Sequence, residues 1–83
     1  MAADAFNERL QRLGLTRAQW FDLKEYLLGL QLGMKDPAPA GLEDHPVVKL
    51  AQEYRSTGNR ARLDEAAQQL AGGKNAWLIL MKA

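Results

Sequence analysis

The segment LTRAQW, residues 15–20, restricts the fold more than any other part of this sequence. Thr16 and Gln19 form a capping box, in which the Thr hydroxyl accepts from the third backbone N–H and the Gln side chain reaches back to the cap. Leu15 and Trp20 occupy the two positions of a hydrophobic staple, one residue before the cap and four after it. The pattern predicts that a helix begins at Thr16.

Two apolar stripes follow on this helix, which we expect to run to about Gly33. The first should face the core, because its members recur every three or four residues: Trp20, Leu23, Leu27, Leu30 and Met34. The second lies about 120° away at 100° per residue and comprises Phe21, Leu28 and Leu32, with Lys24 between the stripes. The helix is therefore either the central, organising element of a bundle or has one side for the core and one for a partner.

Three further helices are predicted from the spacing of apolar residues and from residues that typically cap or end helices. Before the capped helix, Phe6, Leu10 and Leu13 share one face that ends at Gly14. After it, a Pro-containing loop runs from Lys35 to Pro46, and Asp44 is the predicted N-cap of a third helix with the apolar face Val47, Leu50, Ala51 and Tyr54. Gly58 then ends the third helix, and Asn59 caps a fourth with the face Leu63, Ala66, Ala67 and Leu70.

The last segment contains an unbroken apolar run, Trp77 to Met81. Asn75 would cap a short fifth helix, whereas a strand over residues 76–81 is the alternative, since periodicity does not distinguish the two in a fully apolar run. We favour the helix because no other segment alternates like a strand, and a lone strand has no pairing partner except a second copy of the chain. The run should be buried in the core or in a partner.

These signals predict one small all-α domain over residues 1–83, a compact bundle of four to five short helices with a Pro-containing loop between helices 2 and 3. Eleven basic and ten acidic residues give a net charge of +1, which provides no strong attraction to nucleic acid or to an anionic membrane. The chain has no cysteine, no secretory leader and no apolar run near the ~20 residues that span a bilayer. We therefore expect a cytoplasmic protein without membrane partners.

Few residues are suited to catalysis or metal binding. His45 is the only histidine, and we expect it to be a solvated surface residue because a metal site needs several converging ligands. Ser56 is the only serine and lies in a turn signal. The sequence thus predicts no enzyme activity and no metal, cofactor or small-molecule substrate, although a subunit that completes another protein's active site stays an alternative.

Residues 10–23, LQRLGLTRAQWFDL, resemble the opening of phage-repressor-like helix-turn-helix domains, in which one helix ends in Leu-Gly and the next begins at Thr with a Gln nearby. The resemblance implies DNA binding through a polar recognition helix after a tight turn. The chain departs from that pattern, because residues 24–41 are apolar and then Pro-rich. Nucleic-acid binding is therefore the alternative function, with Arg55, Arg60 and Arg62 as candidate phosphate contacts beside Lys49.

The function that the sequence favours is a non-enzymatic protein–protein interaction module, such as an adaptor, an inhibitor or a docking domain. Its partner would be another protein or a second copy of the chain, held by an apolar helix face with charges at the rim. The predicted partner-binding residues come from the second stripe and from the C-terminal run: Phe21, Lys24, Leu28, Leu32, Trp77 and Ile79.

Overall fold

The computed structural model describes the backbone of residues 2–83 and the side chains of residues 5–83. Every regular element in this part of the chain is helical, which confirms the predicted all-α class: α1 (Ala2–Leu13), α2 (Arg17–Gln31), α3 (Pro46–Thr57), α4 (Arg60–Ala71) and α5 (Ala76–Lys82). The radius of gyration is 11.9 Å, close to the roughly 12 Å of a compact chain of this length.

The capping box at the start of α2 is confirmed in both directions. The backbone N–H of Gln19 donates to the Thr16 hydroxyl at 3.1 Å, and the N–H of Thr16 donates to the Gln19 side chain at 2.9 Å. Leu15 and Trp20, the predicted staple, are both buried in the same core. Local sequence therefore fixes where α2 begins.

Helix α2 ends before Met34, the last residue of the predicted core stripe. Gly33 adopts a left-handed conformation with φ of 86°. Its N–H donates to the carbonyl of Leu30 at 3.0 Å, and the N–H of Met34 donates to the carbonyl of Gly29 at 2.9 Å. This pair of bonds is a Schellman motif, which ends the helix and turns the chain away from its axis. Met34 is consequently 51% exposed, so its prediction as a core residue is wrong.

The centre of the bundle is α4 rather than the capped helix α2. Helices α2, α3 and α5 all pack against α4, and its predicted face is completely buried: Leu63, Ala66, Ala67 and Leu70. Because alanine side chains are small, the neighbouring helices can pack close to the backbone of α4 on more than one side. This face of two leucines and two alanines thus organises the fold.

Trp20 connects α1, α2 and α4. Its indole is 2% exposed, and its Nε1–H donates to the carbonyl of Leu70 at 2.8 Å, one of the last carbonyls of α4, which have no partner within the helix. Phe6 of α1 packs against the same indole edge to face, with ring centroids 5.1 Å apart. This arrangement holds α1 beside the first half of α2.

His45, not Asp44, is the N-cap of α3, so the predicted cap is wrong by one residue. The Nδ1 atom of His45 accepts from the backbone N–H of Val47 at 3.1 Å, while Nε2 lies 2.7 Å from the carbonyl of Leu13 and donates to it. Pro46 occupies the first helical position, where its missing N–H costs nothing. His45 is therefore a partly buried structural residue rather than a solvated one.

The two asparagine caps give different results. The side chain of Asn59 accepts from the N–H of Ala61 at 3.1 Å and caps α4 as predicted. Asn75 is also the N-cap residue of its helix, α5, as predicted, but its backbone is left-handed with φ of 59° and its side chain makes no cap bond. The segment that follows is the favoured helix and not a strand.

The apolar run in α5 is only partly buried. Leu80 is fully inside the core, and Trp77 is half-buried against it. Leu78, Ile79 and Met81 are 52%, 38% and 65% exposed. The core therefore accounts for one side of α5 and leaves three large apolar side chains at the surface.

Candidate functional site

A surface groove of about 600 Å³ runs between α1, α2 and α5, and we call it the α1–α2–α5 groove. Each helix contributes side chains to its lining: Phe6, Asn7 and Arg9 from α1, Arg17, Trp20 and Phe21 from α2, and Ile79, Lys82 and the terminal Ala83 at the end of α5. Residues about 60 positions apart in the sequence thus meet at one surface because α5 packs on α2 and α4.

The floor of the groove is a set of aromatic rings packed edge to face. Trp20 lies 5.1 Å from Phe6 and 5.0 Å from Phe21 between ring centroids, with interplanar angles of 87° and 79°. Because the indole N–H is already bonded to Leu70, Trp20 offers only carbon atoms to the groove. Phe6 and Phe21 are half-buried, so each presents part of its ring to a ligand.

The rim of the groove is positively charged. Arg17 places its guanidinium carbon 5.3 Å from the centroid of the Phe6 ring, and Lys24 places its ammonium 5.2 Å from that of Phe21. Lys24 also lies 3.5 Å from the backbone oxygen of Ala83. Such cation–π contacts hold the cations close to the apolar floor. The groove can therefore contact apolar and anionic groups of one ligand together.

The structure brings three of the six predicted partner-binding residues together. Phe21 and Ile79 line the α1–α2–α5 groove, and Lys24 lies beside it. Leu28 is half-buried against the core. Leu32 is 79% exposed at the C-cap of α2 and lies outside the groove.

Trp77, the sixth predicted residue, lies at a different surface. Its Nε1–H donates to Asp64 Oδ1 at 2.9 Å, and the guanidinium of Arg60 lies 5.5 Å from its ring centroid. These contacts attach α5 to α4 and leave the ring only partly accessible. Trp77 therefore has a structural role that the sequence did not reveal.

Sequence reasoning missed the contributions of Phe6, Arg17 and Lys82 to the groove. Phe6 was assigned to a core face, and neither basic residue was identified as a binding residue. The positions of α1 and α5 beside Arg17 depend on long-range packing, which local sequence patterns do not show.

Two of the three arginines suggested for phosphate binding are engaged with carboxylates, and the third, Arg55, donates to the backbone carbonyl of Asp36 at 3.0 Å. Arg60 pairs with Asp64 at 3.3 Å, and Arg62 pairs with Glu65 at 2.9 Å and with Glu53 at 3.1 Å. The hydrogen bond to Glu65 and the charges of both glutamates raise the pKa of Arg62 above its usual value. A phosphate would have to compete with these acids.

His45, the only histidine in the sequence, is held in place by structural contacts. Both ring nitrogens of His45 are used in structural hydrogen bonds. Among the side chains of residues 5–83, histidine and carboxylate groups form no cluster of three that is placed to hold a metal ion. Nor does any helix in that range combine the length and apolar content needed to cross a membrane.

Comparison of this chain with models of protein families, with curated proteins and with solved structures gave no match.

Proposed function

We propose that this chain is a protein-interaction module without catalytic activity of its own, acting in the cytoplasm, and that the α1–α2–α5 groove receives an amphipathic helix of a protein partner. The supporting observation is that Phe21 and Ile79 meet there with Phe6, although they belong to three different helices. Apolar side chains that converge at an open surface are typical of docking sites.

The shape of the groove favours a helix over a small molecule. Arg17, Ile79 and Lys82 are exposed, and only Trp20 in the lining is fully buried, so the groove lies open along the surface. Pockets for small molecules usually enclose most of their ligand. An added strand would need a sheet edge, which residues 2–83 do not provide. An amphipathic helix that lies along the groove needs neither an enclosing pocket nor a sheet edge.

The test is a selection of helical peptides from a displayed library, followed by binding to three forms of the chain. Ile79→Asp places a charge in the groove, and Leu78→Asp places the same charge on the neighbouring residue, which faces the other side of α5. Both positions are exposed, so each variant should keep the helical circular dichroism of the wild type.

We expect the selected peptides to bind Ile79→Asp at least about tenfold more weakly than the wild type, because a carboxylate would have to be desolvated against an apolar partner. Leu78→Asp should bind as the wild type does. Failure to select any binder, or equal loss in both variants, would show that the groove is not the docking site.

A further inference from the structure

The charges around the α1–α2–α5 groove differ from those of the chain as a whole. The chain has eleven basic and ten acidic residues, yet the charged side chains that line the groove are all basic: Arg9, Arg17 and Lys82. Lys24 adds a fourth positive charge at the edge. This excess is local, so it concerns the ligand of the groove rather than the overall behaviour of the protein.

None of these cations forms an ion pair with another side chain that the structure describes. Among the side chains of residues 5–83, the ion pairs are formed by Arg60 and Arg62, on α4. Arg17 and Lys24 instead contact the aromatic rings of the floor, which do not cancel their charge. A carboxylate that reaches the rim would therefore find cations already positioned for it.

A second copy of the chain does not fit this surface. Two copies related by a twofold axis through the groove would bring two basic rims together, and like charges across an interface are costly. A partner with acids beside its apolar side chains would meet the rim with complementary charge.

A nucleic acid would match the positive charge of the rim, but its bases could not stack on the aromatic floor. Base stacking needs accessible ring faces, whereas Trp20 is 2% exposed and the rings of Phe6 and Phe21 pack edge to face against it, with a cation over each. A single strand would thus gain phosphate contacts without the stacking that usually accompanies them.

From these observations, and resting on the docking function proposed above, we infer that the partner segment is an acidic amphipathic helix. Its apolar side chains lie over Phe6, Phe21 and Ile79, and its carboxylates lie at Arg17 and Lys82. The apolar contacts supply most of the affinity, and the carboxylates fix the orientation and reject basic segments.

The experiment uses three synthetic peptides of about sixteen residues, which is four to five helical turns. They share leucine and phenylalanine on one face and carry Glu, Gln or Lys at the flanking positions. Binding is measured with the wild type, with the double variant Arg17→Glu and Lys82→Glu, and with Lys49→Glu. Lys49 is exposed on α3 and does not line the groove, so this variant controls for a change in overall charge.

The Glu peptide should bind the wild type about tenfold more tightly than the Gln peptide, since two or three exposed ion pairs contribute up to about fivefold each. Raising the salt to about 0.5 M should remove most of this preference. The Arg17→Glu and Lys82→Glu double variant should prefer the Lys peptide, and Lys49→Glu should behave as the wild type.

Three results would overturn the inference. Equal affinity for the Glu and Gln peptides would leave the docking function intact and remove the acidic preference. An oligothymidylate of about twelve nucleotides that binds more tightly than the Glu peptide would identify a nucleic-acid site. No binding of any of the three peptides, together with a library that yields no binder, would remove the docking function itself.

Discussion

Replacing His45 should separate two stabilising contacts that one side chain makes. Its Nδ1 caps α3 by accepting from Val47, and its Nε2–H donates to the carbonyl of Leu13, the last residue of α1. The second bond joins residues 32 positions apart and holds the end of α1 to the start of α3. It also satisfies a carbonyl that has no partner within its own helix.

The expected losses follow from these two bonds. An N-cap contributes about 1 kcal/mol, and a hydrogen bond of this kind about 1 kcal/mol more. His45→Ala removes both and should lower the free energy of unfolding by about 2 kcal/mol. His45→Asn keeps an oxygen able to cap α3 but is too short to reach Leu13, so about half of that loss is expected.

Urea unfolding followed by far-UV circular dichroism measures these differences. With a slope of about 1 kcal/mol per molar for a small domain, the midpoint should fall by roughly 2 M for His45→Ala and roughly 1 M for His45→Asn. Asp44→Ala is the matched control, and its midpoint should shift by less than about 0.5 M because the carboxylate does not cap the helix. A larger shift for Asp44→Ala than for His45→Ala would refute this assignment of the cap.

Two further predictions concern the core. Leu80→Ala should lower the free energy of unfolding by about 2–5 kcal/mol, because Leu80 is fully buried. Met81 is 65% exposed, so Met81→Ala should change the free energy of unfolding by less than about 0.5 kcal/mol. Similar urea midpoints for the two variants would mean that α5 is not packed as described. The Tyr26 hydroxyl is buried and has no hydrogen-bond partner among residues 5–83. Because removing an unpaired buried hydroxyl removes its desolvation penalty, Tyr26→Phe should keep or raise the melting temperature. A clear fall in the melting temperature would mean that the hydroxyl does have a partner.

The sequence predicted best where the determining contacts are local. Thr16 and Gln19 lie three residues apart, so their pairing requires nothing from the rest of the fold. It failed at His45, which is not a typical N-cap and whose second partner, Leu13, is distant in the sequence. It also failed at Met34, because the period of the stripe continued past a glycine that ends the helix.

The candidate site was predictable only as separate pieces. Phe21 was singled out because it lies outside the core stripe of α2, and Ile79 because it belongs to an apolar run. Nothing in either pattern indicated that these two residues meet, or that Arg17 and Lys82 surround them. Their proximity depends on the packing of α5 onto α4, which is directed by Leu80 and by the bond from Trp77 to Asp64.

This dependence connects the stability of α5 to binding. Isolated helices as short as the seven residues of α5 are not stable in water, so one wall of the groove exists only while Leu80 stays in the core. A ligand that contacts Ile79 must therefore bind the docked form of α5 and stabilise it. Leu80 does not itself line the groove. Leu80→Ala should nevertheless weaken peptide binding as well as the fold, whereas Met81→Ala should weaken neither. If Leu80→Ala bound the selected peptides with wild-type affinity, α5 would not be a wall of the site.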